Sequence, residues 1–351
     1  MTGCFELSYG ISMARFIRVI TVVTAVLLAS CQTLPDGPLM LEDALEANVA
    51  VTLPMRVSEK GLLVLENVEI DGASLNFVLD TGATQSAIFK GTLDRAGLNV
   101  TAQEERMVHG MIESQNRRIV TLPQMTIGPI QYTQKQVIVL DNPKLDFAES
   151  ENYDGLIGMD ILSDYNLLIS PSLQELKLIP KEREIYVPSY WSRIELTQNP
   201  FQADGRNLHF LQLRVAGRRT PALLDTGSEF SLLNWSAARF AQVKSLRRRL
   251  ERDWQMQGAV GVFKPRTKVR LESFRGGQKF WSNKDFIILD FESLDILGVA
   301  DQPFIIAGMN LFAEEAIFID FERNFLAIES GVTEDDPYWE EKHQRRLGGL
   351  P

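Results

Sequence analysis

The stretch FVLDTGATQSAIF, residues 77–89, decides how this chain is read. Three apolar residues, Phe77, Val78 and Leu79, run into Asp80-Thr81-Gly82-Ala83, and a second apolar run follows. An aspartate at the end of an apolar strand is costly to bury as an anion unless something pairs with it or shares its proton. A lone Asp-Thr-Gly is weak evidence, because by composition it arises at roughly one position in several thousand, usually as a strand-end turn. The fold therefore hinges on whether Asp80 has a partner.

The partner is in an internal repeat. A second Asp-Thr-Gly occurs in ALLDTGSEFSLLN, with Asp225 145 residues after Asp80. The match extends upstream without a gap, VEIDGASLNFVLDTGA (68–83) lying over LRVAGRRTPALLDTGS (213–228). Both copies read as an alternating strand, a Gly-centred turn and a more continuously apolar strand ending at the Asp. Further along, QVIVLD (136–141) matches DFIILD (285–290) at an offset of 149. GLIGMDIL (155–162) matches FIIAGMNLF (304–312), and LLISPSLQELKL (167–178) matches IFIDFERNFLAI (317–328), both at 150. Five residues are thus inserted in the second copy, most of them near KSLRRRLERDW (244–254).

With these residues in hand, the chain resembles the retropepsin-like aspartyl proteases, and in particular bacterial forms with two copies in one chain. The resemblance covers about 280 residues. It rests on Asp80-Thr81-Gly82-Ala83, Asp225-Thr226-Gly227-Ser228, and the apolar-apolar-Gly segments ending at Gly158 and Gly308. It implies an all-β fold of two lobes, 51–188 and 189–330, related by a pseudo-twofold axis with the two Asp residues on it. It also implies that Thr81 and Thr226 reach across to the other lobe's backbone. Hairpin flaps are expected at MVHGMIES (107–114) and MQGAVGVF (256–263), with His109 in the first and Gly110, Gly258 and Gly261 lending mobility. Where viral members commonly place an Arg after the second Gly, this chain has Met159 and Met309, followed by Asp160 and Asn310.

The chemistry explains the residue types. Peptide hydrolysis without a metal or a covalent intermediate needs one group to deprotonate water and another to protonate the substrate. Two carboxylates about 3 Å apart cannot both ionise easily, so the pair holds one proton over a broad pH range. Gly82 and Gly227 allow a close backbone approach that a Cβ would block. The segments at Gly158 and Gly308 are expected to brace each loop from behind. Ser228 is expected to donate its hydroxyl to Asp225, with no equivalent at Ala83, leaving more of the charge on Asp225 and more of the proton on Asp80.

Other classes compete poorly. The three histidines form no zinc motif, and there is no Gly-x-Ser-x-Gly, no Cys/His cluster and no phosphate loop. No cofactor or metal is expected. The net charge of −10 and a pI near 5.0 argue against nucleic acid as a partner. The partners expected are an extended polypeptide substrate and a membrane, with the chain a monomer. The membrane expectation comes from the N-terminus, which from Met13, the expected start, reads MARFIRVITVVTAVLLASC. Two Arg, a short apolar run and Leu-Ala-Ser-Cys have the layout of a secretory signal (1–30) whose ending resembles a bacterial lipobox. Cys31 would then carry lipid, followed by a linker to residue 50, and Gln32 leans towards the outer membrane. The basic segment around Arg247–Arg249 reads as a solvated helix face, and residues 331–351 as a charged, disordered tail. The rival to a protease is a peptide-binding or scaffold lipoprotein on the same fold. The presence of both complete Asp-Thr-Gly triplets favours the enzyme.

Overall fold

In the computed structural model the described residues are 39–41, 50–98, 100–110, 114–143, 153–198, 207–241, 248–249, 255–258, 261–265, 267–290, 293–296 and 301–329. The signal, the lipobox Cys31 and the tail from 331 lie outside them.

The first copy supplies β1 (Leu39–Met40), β2 (Val51–Val57), β3 (Leu63–Ile70), β4 (Ala73–Leu79), β5 (Ala87–Phe89) and β6 (Thr101–His109). It continues with β7 (Ser114–Ile127), β8 (Ile130–Leu140), β9 (Gly155–Ile157), β10 (Tyr165–Ser170), β11 (Glu175–Pro180) and β12 (Ile185–Tyr186). Six of these close a ring: β3 pairs β4, β4 pairs β9, β9 pairs β5, β5 pairs β8, β8 pairs β7, and β7 returns to β3. Closure removes the exposed edges that an open sheet would leave. The alternating pattern of β3 is met inside the ring, where Leu63, Leu65, Val68 and Ile70 are buried with Phe77 and Leu79 of β4. An offset of one residue between 65 and 68 marks a bulge, which bends β3 around the barrel.

The second copy repeats this with β13 (Trp191–Gln198), β14 (His209–Val215), β15 (Arg218–Leu224), β16 (Ser231–Leu233), β17 (Arg248–Arg249) and β18 (Met256–Gln257). Then come β19 (Val262–Phe263), β20 (Thr267–Gly276), β21 (Lys279–Ile288), β22 (Ile305–Ala307), β23 (Ile317–Asp320) and β24 (Phe325–Glu329). The ring β14–β15–β22–β16–β21–β20–β14 closes through the equivalent pairings. Among the described residues the copies diverge most between the ring strands, where β6 and β7 form one long hairpin and the second lobe shows β17 and the separate β18–β19 pair. This is where the extra residues of the second copy fall. The basic segment corrects the helix reading where it is described: Arg248–Arg249 are a strand that pairs with Lys268 and Thr267 of β20, the described helix before them is Trp235–Phe240, and Arg247 lies outside the described residues. An extended segment gains backbone partners from that strand, which a helical face would not.

The lobes are joined by a sheet ordered β2–β11–β10–β23–β24–β13, three strands from each copy. Its centre pairs Leu167 with Ile319, Leu168 with Phe318 and Ile169 with Ile317. Leu168 and Phe318 are equivalent in the repeat, so the pseudo-twofold axis passes between them. Side chains alternate across this sheet. Leu167, Ile169, Ile317 and Ile319 join the main core, whereas Leu168 and Phe318 join a smaller cluster with Leu41, Ile185 and Trp191. The all-β, two-lobed architecture is the one the sequence resemblance implied.

Candidate active site

Each Asp-Thr-Gly is on the loop that leaves a ring strand and doubles back around a short inserted strand. In the first lobe β4 ends at Leu79, the loop spans 80–86, and β5 begins at Ala87; β9 sits between them, parallel to β4 and antiparallel to β5. The Asp80 N–H donates to Ile157 O at 2.9 Å and the Met159 N–H to Ala83 O at 2.8 Å. The second loop matches, with Asp225 N–H to Ala307 O at 3.1 Å and Met309 N–H to Ser228 O at 2.8 Å. Gly158 and Gly308 lie behind the loops. A Cβ at Gly158 would stand 2.7 Å from the Gln85 carbonyl carbon, and one at Gly308 2.7 Å from that of Phe230. Only glycine permits so close an approach.

A second brace was missed in the sequence. The Ser86 N–H and O–H both donate to Asp160 Oδ1 at 2.7 Å, and the Ser86 hydroxyl oxygen accepts from the Gly158 N–H at 3.0 Å. Ser231, Asn310 and Gly308 repeat the arrangement at 2.8, 2.7 and 3.0 Å. The signal was available, since Ser stands six residues after the Asp in both copies. This network uses the residue after Met159 and Met309 as a hydrogen-bond acceptor, so the loop is tied without an Arg.

The two loops meet at the axis. The Thr81 hydroxyl donates to Leu224 O at 2.8 Å and the Thr226 hydroxyl to Leu79 O at 2.7 Å. Each hydroxyl oxygen accepts the other threonine's N–H at 3.1 Å. Both threonines are buried. Four reciprocal bonds therefore hold one lobe's loop against the other's, and every one crosses the interface.

Asp80 and Asp225 come together above this lock. A Cβ at Gly82 would lie 2.6 Å from Asp225 Cγ, and one at Gly227 2.6 Å from Asp80 Oδ2. Each carboxylate thus occupies the space that the other loop's glycine leaves empty. Each also accepts the N–H of its own glycine, Gly82 to Asp80 Oδ1 at 2.9 Å and Gly227 to Asp225 Oδ1 at 3.0 Å. Burial is the largest influence on both acids. It raises Asp80 to about 6 against the pull of the Gly82 and Ala83 amides. It raises Asp225 well above the usual range, with the Asp80 charge adding to the effect. Asp225 is the more enclosed of the two, so the shared proton favours it.

The expectation for Ser228 is corrected. Its hydroxyl donates to Phe230 O at 2.8 Å, a carbonyl two residues on that lies within reach inside the same turn. It is therefore not spent on the carboxylate, and the argument that it draws charge onto Asp225 loses its donor. Ala83, with no hydroxyl, is placed equivalently and takes part through its backbone amide and carbonyl.

Of the expected flap residues, His109 is exposed at the end of β6 with Nδ1 2.8 Å from Ser114 Oγ, and Gly110 follows it. Residues 111–113 lie outside the described set. In the second lobe the Gly258 N–H donates to Gly261 O at 3.0 Å, and Gly261 has φ +83°, a turn conformation that suits glycine. Among the described residues no group of three or more His, Cys, Asp or Glu is placed to hold a metal.

An aspartyl protease family model matches residues 66–161, which take in Asp80 to Ala83 and Gly158. No curated protein matches the chain. Among solved structures, a retropepsin-like aspartic protease from Rickettsia conorii is 18% identical, covering 37% of this chain and 89% of that one with a TM-score of 0.27.

Proposed function

We propose that this chain is a single-chain aspartyl endopeptidase in which Asp80 and Asp225 activate one water against a peptide bond. The observation that carries the reading is the crossed packing of each carboxylate over the other loop's glycine, with both acids pushed up by burial. Such a pair keeps one proton and one charge between its members, and it titrates as a unit. The ionised member takes a proton from water as its oxygen attacks the carbonyl carbon. The protonated member hydrogen-bonds the carbonyl oxygen and supplies a proton, and the C–N bond then breaks with a proton going to the amine. Thr81 and Thr226 fix the separation of the two acids, because a loosened loop would part them. The β6–β7 hairpin covers an extended peptide. The chain works as a monomer in the cell envelope, held to a membrane through lipid on Cys31. The rival reading, a peptide-holding lipoprotein that does not turn over, keeps the same cleft.

The test uses purified residues 32–351 on a peptide library. Wild type cleaves, is insensitive to a chelator, and loses activity in Asp80→Asn and in Asp225→Asn while the fold survives. Full turnover by either variant, or loss on chelation, overturns the two-carboxylate mechanism. Absence of any cleavage with intact peptide binding favours the rival. Cys31→Ser in the full-length protein releases it from the membrane fraction without changing its peptidase activity.

A further inference from the structure

A cavity of about 380 Å³ opens beside the first dyad loop. Its walls include Thr84 and Gln85, four and five residues beyond Asp80, then Arg106 of β6, Tyr132 and Lys135 of β8, and Asp160. Four segments therefore contribute to it: the loop that carries Asp80, the covering hairpin, a ring strand, and the short helix Met159–Leu162 behind the loop. The carboxylates of the dyad do not line it.

Charge inside the cavity is unevenly committed. Lys135 Nζ is 2.8 Å from Asp160 Oδ2 and also donates to Asp160 O at 3.0 Å, while Asp160 Oδ1 is taken by Ser86. The Lys135 and Asp160 side chains are 17% and 21% exposed, so this pair is fixed in the wall. Arg106 differs. Its side chain is 50% exposed, and it meets Glu104, two residues away on the same strand and 66% exposed, at 2.9 Å. A solvent-facing pair of this kind contributes little and yields readily to a better partner. A guanidinium presents paired N–H donors that match a carboxylate.

The corresponding wall of the second lobe is built otherwise. Phe230 stands where the first lobe has Gln85, Trp281 where it has Tyr132, and Asp285 where it has Gln136. Trp281 is buried, stacked on Phe274 with centroids 5.1 Å apart, and donates its N–H to Leu311 O at 3.1 Å. Asp285 is held by Lys268 and Arg270 at 2.8 and 2.7 Å. One lobe thus offers a polar cavity with a cation free to exchange its partner, and the other a packed indole and a phenyl ring.

We propose that the first-lobe cavity is a pocket for an acidic side chain of an extended peptide, with Arg106 as its ion partner. A pseudo-symmetric cleft would otherwise accept a peptide in either direction, and a pocket whose described lining differs between the lobes fixes which way it lies. The proposal rests on the peptidase reading for the cleft's occupant. Arg106 is a positioning residue that acts on binding and orientation, away from the reacting bond.

The test measures binding without cleavage. A series of extended peptides carries a reduced CH2–NH bond at the centre and Glu or Lys at each flanking position in turn, with Kd read by fluorescence anisotropy. On wild type, Glu binds about tenfold tighter than Lys at one position on one side of the centre. Arg106→Glu reverses the preference there and leaves the other positions unchanged, and Arg106→Gln erases it. Arg106 pairs across the hairpin with Arg117, so Arg106→Gln lowers like-charge crowding, whereas Arg106→Glu exchanges that repulsion for one with Glu104; circular dichroism of both variants checks that the fold is retained. Equal affinity for Glu and Lys at every position, a preference that survives Arg106→Glu, or no binding by any peptide overturns the proposal. The peptidase reading is judged separately, on whether the same sequences with an ordinary peptide bond are cut.

Discussion

At the scale of the residue, the two buried carboxyls oppose stability where the protein is proposed to act. Asp80 is raised from 3.8 to about 6 by burial, and Asp225 is raised well above the usual range, again by burial first and then by the Asp80 charge. A carboxyl whose folded pKa lies above its unfolded value contributes stability that is fully present below about pH 4. That contribution is lost as the pH rises through about 6 for Asp80, and through its own raised pKa for Asp225. Asp225→Asn removes the charge without removing the volume. It is expected to raise the thermal midpoint at pH 7, because the variant no longer holds an ionisable group against its burial cost. At pH 4, where both carboxyls of wild type are protonated, the two proteins should melt together. Calorimetry at the two pH values decides it, and a lower midpoint for the variant at pH 7 contradicts the burial argument. His209 follows the opposite sign. It is buried in β14 against Phe321, its ring 4.7 Å away, and burial lowers its pKa to about 4. Its contribution is whole above pH 6.5 and falls towards pH 4, so wild-type stability across that window is the balance of the two.

At the scale of the element, the copies can be compared turn by turn. β3 and β4 are joined at Asp71-Gly72, with φ of +48° and +82°, and β14 and β15 at Ala216-Gly217, with φ of +48° and +81°. Two successive residues at positive φ make the hairpin turn whose twist matches the strands, and Asn-Gly or Asp-Gly is its preferred sequence. The second copy therefore places an alanine where its Cβ crowds the next carbonyl. Ala216→Asn is expected to stabilise by about 0.5–1 kcal/mol, because Asn tolerates this conformation and forms local hydrogen bonds. Urea unfolding should show a higher midpoint at an unchanged slope. A loss of stability would mean that Ala216 packs usefully elsewhere. Comparison also shows where a repeat stops being informative. The ring strands keep their register because each one buries a face in its barrel. The segments between them, β6 against β17 to β19, have only local pairing to preserve and have parted in length and shape.

At the scale of the whole molecule, the site exists only because the lobes are held by the central sheet. Leu168 and Phe318 sit on the axis, and the β10–β23 ladder runs from one copy to the other. Both Asp residues are in one chain, so the site is complete without a second molecule. Activity per chain should therefore stay constant on dilution from micromolar to nanomolar, and sedimentation should show a monomer throughout. A steep fall would mean that the site is finished by another copy. Leu168→Pro removes a ladder N–H from a strand paired on both sides and is expected to cost about 3 kcal/mol or more. It should abolish activity although it leaves both loops untouched, which separates holding the lobes from performing the chemistry.

The sequence alone determined a good deal. The two Asp-Thr-Gly triplets at equivalent places in a repeat named the pair, and alternation around a Gly turn gave the strands, because burial on one face of a strand writes itself into every second residue; the two lobes were what the family resemblance implied. The insertions likewise fell where the register between the copies changes. What it could not determine were the contacts that depend on which partner lies nearest in space. Ser228 could bond a carboxylate or a carbonyl, and only the turn brings Phe230 O to 2.8 Å. Ser86 and Ser231 looked like ordinary loop residues until Asp160 and Asn310, more than seventy positions away, arrived above them. Arg106 stands one residue before the expected flap at 107–114, and its place at the rim of a cavity follows from four segments converging. Periodicity records which face of an element is buried. It does not record which polar group a side chain meets across a long loop closure, because that choice is made by the packing of the lobes.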